Sequence, residues 1–198
     1  MKKSKTIKMF LAEGCQSGGF TVEIMNWTGH LIVSPRSNLH KLFNREEIHR
    51  TGLYLLFDKA LGNPEKIALY VGESDNVGKR LKQHLNNSDL KTWDKVCIIT
   101  SKDRNLTKSH VKYLESEIIN LIYTSKNIVM LNRVTPKFDY LPESDISDMN
   151  IFLEYLYTVF PFLNIHITTP PDHNDSNVAP FTPFPKKNSL NSQFSQHR

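Results

Sequence analysis

Tyr54 closes the tripeptide Gly52-Leu53-Tyr54 and Tyr70 opens Tyr70-Val71-Gly72, in the apolar runs GLYLLFD and KIALYVG. Runs of that composition form neighbouring strands, which would bring two phenols side by side. Taken singly, each tyrosine is also an ordinary half-buried strand aromatic, and each glycine a bulge or a close backbone approach. Arg80 follows Gly72, with His84 four residues further on. On a helix, positions four apart share a face. An arginine near the first turn can grip a phosphate with its planar fork of donors. The plain counterpart is a solvated basic face made with Lys79 and Lys82. Glu115, in Leu114-Glu115-Ser116, sits at the margin of an apolar helical stripe, where a carboxylate can point into a cleft. Glu117 falls on the more exposed side and reads as its solvated neighbour. One carboxylate makes a poor metal cage, yet it suffices for Mg²⁺, which keeps several waters and takes substrate phosphate as a ligand.

The elements that must position these groups are legible in outline. TIKMFL, FTVEIM and HLIV read as strands separated by AEGCQSGG and NWTG, the punctuation of hairpin turns. Residues 37 to 44 suggest a short helix, and KALGNPE a surface loop between the two tyrosine strands. From Asp75 to Asn86 the spacing of Val77, Leu81 and Leu85 is helical, although Gly78 costs about 1 kcal/mol against alanine there. KVCIITS reads as a further core strand. Two longer helices follow. One carries Leu106, Val111, Leu114, Ile118, Leu121 and Ile122, with Asn105 or Thr107 as its cap. The other carries Ile146, Met149, Phe152, Leu153, Leu156 and Phe160, with Ser144 or Asp145 as its cap and Pro161 at its end. Past Thr168 the chain turns rich in Pro, Asn and Ser without periodicity, the composition of a disordered tail. A mixed α/β core preceded by a β-hairpin region results.

Bulk properties narrow the class. The 198 residues carry 39% hydrophobic and 23% charged side chains, ordinary values for a globular protein. A net charge of +5 and a pI near 9.1 suit a polyanionic partner without requiring one. Cys15 and Cys97 have no metal-site spacing and fit reduced thiols. No apolar run approaches a membrane span, and the basic start MKKSKTIKMFLAEG has too short an apolar stretch for a signal peptide. The expectation is a cytoplasmic protein with no membrane partner.

The order of these features resembles the GIY-YIG nuclease superfamily, and a bacterial subgroup with an N-terminal β extension in particular. The tripeptides Gly52-Leu53-Tyr54 and Tyr70-Val71-Gly72 stand for its signature. SPRSNL, RTGLYLLF, YVGESDNVGKRLKQH, Trp93-Asp94 and LTKSHVKYLESEII look like that subgroup. The likeness spans about residues 5 to 168. It implies an α/β (α+β) fold with a small three-stranded antiparallel sheet flanked by helices. The organisation would be an extension at 1–48, a nuclease domain at 49–168 and a tail at 169–198. It implies Glu115 as ligand of one Mg²⁺ or Mn²⁺ and Arg80 on the scissile phosphate. Tyr54 would be the base with Tyr70 as its hydrogen-bonding partner, and His84 would contact a metal-bound water or the backbone of the nucleic acid. Gly72 would allow close packing, Asn132 would close the site, and Lys79 and Lys82 would contact phosphates.

The reading that follows is a metal-dependent endonuclease cutting DNA, with RNA also a fitting substrate. Phosphodiester hydrolysis needs an activated nucleophile and charge neutralisation, and a phenol with a pKa near 10 needs cations nearby to serve as base. Lys91, Lys95, Lys102 and Lys108 would add sequence-independent phosphate contacts. Two other readings stand beside it: a catalytically silent nucleic-acid-binding module on the same scaffold, and an interaction protein working through the tail segment APFTPFP.

Overall fold

Seven strands form one continuous sheet in the computed structural model, which describes residues 4–15, 18–86, 93–123, 125–134, 136 and 140–165. The strands are β1 (Ile7–Leu11), β2 (Phe20–Ile24), β3 (Gly29–Pro35), β4 (Gly52–Ala60), β5 (Asn63–Ser74), β6 (Lys95–Ser101) and β7 (Ile128–Met130). The helices are α1 (Leu39–Leu42), α2 (Val77–Asn86), α3 (Lys108–Tyr123) and α4 (Glu143–Val159). A 3₁₀ turn spans Glu46–His49. Among the described residues no helix is long and apolar enough to cross a membrane. Lys91 and the tail from residue 169 lie outside the described residues.

The small three-stranded sheet implied by the resemblance is therefore corrected. The strand order is β1-β2-β3-β6-β4-β5-β7, antiparallel throughout except for the parallel β5–β7 pair. The reason lies in β6. Val96, Cys97, Ile98 and Ile99 are all fully buried, so this strand is apolar on both faces and cannot stand at an edge. β3, buried along nearly its whole length, pairs with it over seven residues from Gly29↔Ser101 to Pro35↔Lys95. The N-terminal hairpins thus extend the sheet. At the other side, β7 adds three residues, too few to leave a period in the sequence.

The surface loop expected at KALGNPE is a two-residue turn. β4 runs to Ala60 and β5 starts at Asn63, with Gly62 at φ +78°, a conformation open to glycine.

Directly opposed residues of an antiparallel ladder share a face, and the two faces carry two cores. Leu53, Leu55, Phe57, Val71, Cys97 and Ile99 face α3 and α4, joining Leu114, Ile118, Phe152 and Leu156. Tyr54, Leu56, Val96 and Ile98 face the other way, against Leu42, Ile48, Val77, Leu81 and Trp93. Helix starts follow local capping. The Asn76 side chain accepts from the Lys79 N–H at 2.9 Å to open α2, and Thr107 accepts from the His110 N–H at 3.3 Å to open α3. α4 begins directly after Pro142, which makes no side-chain cap, so Ser144 and Asp145 lie inside its first turn rather than before it.

Candidate active site

The register of β4 on β5 sets Tyr54 opposite Gly72 and Leu56 opposite Tyr70. Both tyrosines consequently rise from the same face, and α2 lies over them. The spacing of 77, 81 and 84 decides which side of α2 turns inward: Val77, Leu81 and His84 are buried, whereas Leu85 is exposed. His84 takes the place that the expected apolar stripe assigned to Leu85. Its Nε2 lies 2.8 Å from the Tyr54 hydroxyl. The rings of Tyr54 and Tyr70 are 6.1 Å apart, and His84 is within 5.6 Å of each. Beside Tyr70, the expected partner, whose hydroxyl also interacts with that of Tyr54, the histidine makes a hydrogen-bonding contact.

Gly72 explains how the rings fit. A Cβ there would stand 2.3 Å from the Tyr54 hydroxyl oxygen and 2.4 Å from Cζ. Only a residue without a side chain lets the Tyr54 ring lie flat across β5. Gly78 plays a related part on α2, where a Cβ would meet Ile48 at 2.8 Å. The helix is thus seated tightly on the Glu46–His49 turn, and close packing accounts for a glycine that lowers helix propensity.

Arg80 is exposed on α2 and donates to the Gln83 side chain at 3.0 Å. Its guanidinium also approaches both tyrosine hydroxyls, and the Tyr54 hydroxyl above all raises its pKa. Burial, with Tyr70 adding to it and Arg80 opposing, pushes the Tyr54 phenol well above its ordinary range. Burial and then Arg80 bring His84 down to about 4, so its ring is neutral at pH 7. A neutral imidazole beside a protonated phenol is a hydrogen-bond acceptor and a weak base. In the tautomer with hydrogen on Nδ1, the Tyr54 hydroxyl donates to Nε2.

Glu115 comes from the opposite face of the sheet. It is 8% exposed on α3, and burial first, then Glu73, raises its pKa to about 7 against the pull of Lys108, Lys112 and Arg80. Arg80 is thus the group that feels both the tyrosines and Glu115. The site wraps around the free end of β5, past the point where β7 stops, with phenols on one face and carboxylates on the other. Glu73, opposite Leu53, is directed to the carboxylate side by strand alternation. Its Oε2 is 2.6 Å from Lys108 Nζ, which also lies 3.6 Å from Asp75. Glu73 is the site residue that motif reading missed, while Lys108, expected as a phosphate contact, is paired with Glu73 and Asp75. Glu73 follows Gly72 in a polar stretch that reads as a turn, and only the alternation of β5 could have marked it.

The other expected residues are placed as follows. The Asn132 amide uses both ends on one residue: its Oδ1 accepts from the Val71 N–H at 2.9 Å and its Nδ2 donates to the Val71 carbonyl at 2.7 Å. It continues the β7 pairing as a side chain and holds the free edge of β5. Lys82 lies over the Phe43 ring at 5.1 Å, and Lys79 is exposed on the first turn of α2. Glu117, expected in solvent, is half-buried, and burial raises its carboxyl. Among the described residues no three His, Cys, Asp or Glu side chains form a metal cluster.

With this geometry in view, comparison with known families becomes specific. Residues 50–125 match the family model of the GIY-YIG catalytic domain. This stretch is similar to a GIY-YIG catalytic domain. It runs from the residue before Thr51 through β4, β5, α2 and β6 to the end of α3, and so takes in Tyr54, Tyr70, Gly72, Arg80, His84 and Glu115. GIY-YIG domains form a nuclease superfamily, so the likeness is to enzymes that hydrolyse phosphodiester bonds of nucleic acids. Neither the curated proteins nor the solved structures give a significant match.

Within this GIY-YIG site, the Glu73–Glu115 repulsion has a measurable consequence. Replacing Glu73 with Gln removes the like charge that helps raise Glu115, so the Glu115 pKa falls below about 7. The rising limb of a cleavage rate against pH should then shift to lower pH, whereas an unmoved limb would show that Glu73 does not act on Glu115.

Proposed function

We propose that the protein is a divalent-metal-dependent endonuclease that hydrolyses phosphodiester bonds of DNA. The supporting observation is the meeting of Tyr54, Tyr70, His84 and Arg80 over Gly72, with the Glu115 carboxyl close enough to feel the charge of Arg80.

The donor set suits a hard cation. Glu115 and Glu73 supply oxygen ligands only, they repel each other, and lysines already neutralise them in part. One or two carboxylates with substrate phosphate form the usual Mg²⁺ site. Glu115, with Glu73 beside it, would hold Mg²⁺ or Mn²⁺. When bound, the ion supplies Lewis-acid polarisation of the phosphate and stabilises the departing oxygen.

The protein's own groups do the rest. Arg80, exposed and carrying a permanent charge, takes the scissile phosphate by its fork of donors and offsets the charge that develops on its oxygens. Tyr54 and Tyr70 orient the attacking water. The raised pKa of Tyr54 makes a free phenolate unfavourable, and His84 relieves this. As the water oxygen bonds to phosphorus and the bond to the departing oxygen breaks, Tyr54 takes the water's proton while passing its own to the Nε2 of His84. His84 is a weak base and releases that proton at once to solvent. Lys79 and Lys82 contact flanking phosphates from the same helix. Asn132 contributes by fixing the strand end that carries Gly72.

Supercoiled plasmid and a single-stranded RNA, each incubated with Mg²⁺, Mn²⁺ or EDTA, test this reading. Metal-dependent conversion of plasmid to nicked circles is the expected result. Pure protein that binds DNA and cuts neither nucleic acid would support the silent binding module, and cleavage of RNA alone would overturn the choice of DNA.

A further inference from the structure

The sheet that carries the tyrosines extends well past the GIY-YIG domain, and its added face is not bare. A cavity of about 530 Å³ opens beside the Glu46–His49 turn, lined by Lys8, Arg45, Arg50 and Lys102 together with His30, Phe10, Thr21, Glu23 and Glu47. Four cationic side chains meet two carboxylates there, leaving a positive excess.

We propose that this groove is a second phosphate-backbone site, which grips the nucleic-acid strand flanking the scissile bond. The inference rests on the nuclease reading and extends it to the part of the chain outside the GIY-YIG domain.

Three observations carry it. The first is register. Phe10↔Thr21, Thr21↔Ile32, Ile32↔Ile98, Ile98↔Tyr54 and Tyr54↔Gly72 make one row across six strands. The groove therefore lies on the same face as Tyr54 and at the same end of the sheet. With neighbouring strands about 4.8 Å apart, Phe10 stands roughly 19 Å from Tyr54 along that row. Duplex DNA rises about 3.4 Å per base pair, so a backbone crossing the site reaches the groove within a few nucleotides.

The second is an unmet hydrogen-bonding demand. The Nε atoms of both Arg45 and Arg50 are buried and have no hydrogen-bond partner among the described residues. Their other nitrogens are in use, Arg45 Nη2 on Glu47 at 2.6 Å, Arg50 Nη1 on the Ser101 carbonyl at 3.4 Å and Arg50 Nη2 at 3.7 Å from Glu46. Buried donors without acceptors are uncommon and call for an explanation. Both side chains stay partly exposed, 31% for Arg45 and 20% for Arg50, so a phosphate in the groove would meet their outer nitrogens. The closed-off Nε atoms show that the protein itself leaves these guanidinium groups incompletely bonded.

The third is connection. The Arg50 carbonyl accepts from the Val77 N–H at 3.4 Å at the start of α2. One short segment is therefore both a wall of the groove and the seat of the helix that aims Arg80. Phe10, 65% exposed at the rim, offers a ring on which an unpaired base can stack. His30 adds no charge at pH 7, because burial holds it below the usual imidazole range. Glu23 partners both Lys102, at 3.6 Å, and His30, at 3.7 Å, while Glu47 and Glu46 partner Arg45 and Arg50. With these three carboxylates set against four cations, the groove's excess is one positive charge.

The test uses the full chain, a fluorescent duplex of about 20 base pairs and the same duplex as a cleavage substrate. Lys8→Glu/Lys102→Glu changes two exposed side chains and should fold normally, and Arg45→Ala/Arg50→Ala probes the buried fork in a second variant. The expected result for the lysine pair is affinity lower by tenfold or more. The slope of log affinity against log salt should fall by about one to two, and KM should rise while kcat stays within about twofold. Wild-type affinity and salt slope in both folded variants would overturn the groove while leaving the nuclease reading intact. A wild-type protein that neither binds nor cuts the duplex would overturn both.

Discussion

Glu115→Gln is expected to lower the cleavage rate by about 10³-fold, the scale on which single electrostatic contributors to a reacting site act, and to raise thermal stability at pH 8. The two effects share one cause. Glutamine keeps the size of the side chain on α3 but cannot become the anion that holds a divalent cation. In the native protein that anion is held under strain, because burial and Glu73 raise its pKa to about 7. The folded-state pKa lies above the ordinary 4.5, so the protonated form is favoured by folding. The stabilising contribution of Glu115 is thus complete below about pH 4.5 and is lost as pH rises through 7. At pH 8 the native state carries an unfavourable buried charge that the glutamine variant lacks. The melting temperature of the variant should exceed that of the wild type at pH 8 by a few degrees, at about 2–4 °C per kcal/mol for a chain of this size. The gain should vanish at pH 4.5. Thermal melts at the two pH values, beside a cleavage assay, check both halves. Equal melting at pH 8 would show that Glu115 is not a buried charge.

Gly72→Ala is expected to damage the site and the fold together. Its Cβ would collide with the ring of Tyr54, a side chain only 1% exposed and tied to His84. The ring cannot swing away without breaking the hydroxyl contact and disturbing Leu81 and Ile98 beneath it. Overpacking of this kind costs about 1–3 kcal/mol, and the rate should fall with the displaced phenol. A double-mutant cycle isolates the cause. In a Tyr54→Ala background the same Gly72→Ala change meets open space, and reduced backbone freedom in the unfolded chain should make it neutral or stabilising by about 0.5 kcal/mol. Chemical denaturation of the four proteins measures the sign. Equal destabilisation in both backgrounds would show that Gly72 serves something other than the Tyr54 ring.

How much of this was legible from the residues depended on range. KVCIITS became β6 residue for residue, because a short apolar run with polar ends has few alternatives. The start of α2 was legible because the spacing of Val77 and Leu81 acts locally. The seven-stranded sheet was not. β3 and β6 lie far apart in the chain, and nothing within either says which strand it will meet, only that both are too apolar to be edges. His84 was found by its spacing from Arg80, yet its burial was not, since Leu85 competed for the same stripe and the apolar residue looked the better candidate. Tyr54–His84 contact depends on the ring lying over Gly72, a consequence of cross-strand register that three-letter motifs do not carry. Glu73 was hidden for the same reason. A glutamate after a glycine in a polar stretch reads as a turn, and its approach to Glu115 follows from β5 continuing to Ser74.

The central claim is that these side chains form one working site, and Arg80 is the residue that links its two halves. The direct measurement is the nicking rate of supercoiled plasmid in Mg²⁺ under saturating enzyme, for wild type and Arg80→Ala. Circular dichroism should show that the exposed substitution leaves the fold unchanged. Nicking by the wild type and a loss of about 10²–10³-fold in the variant is the expected result. Nicking by Arg80→Ala at a rate within about twofold of the wild type would contradict the account.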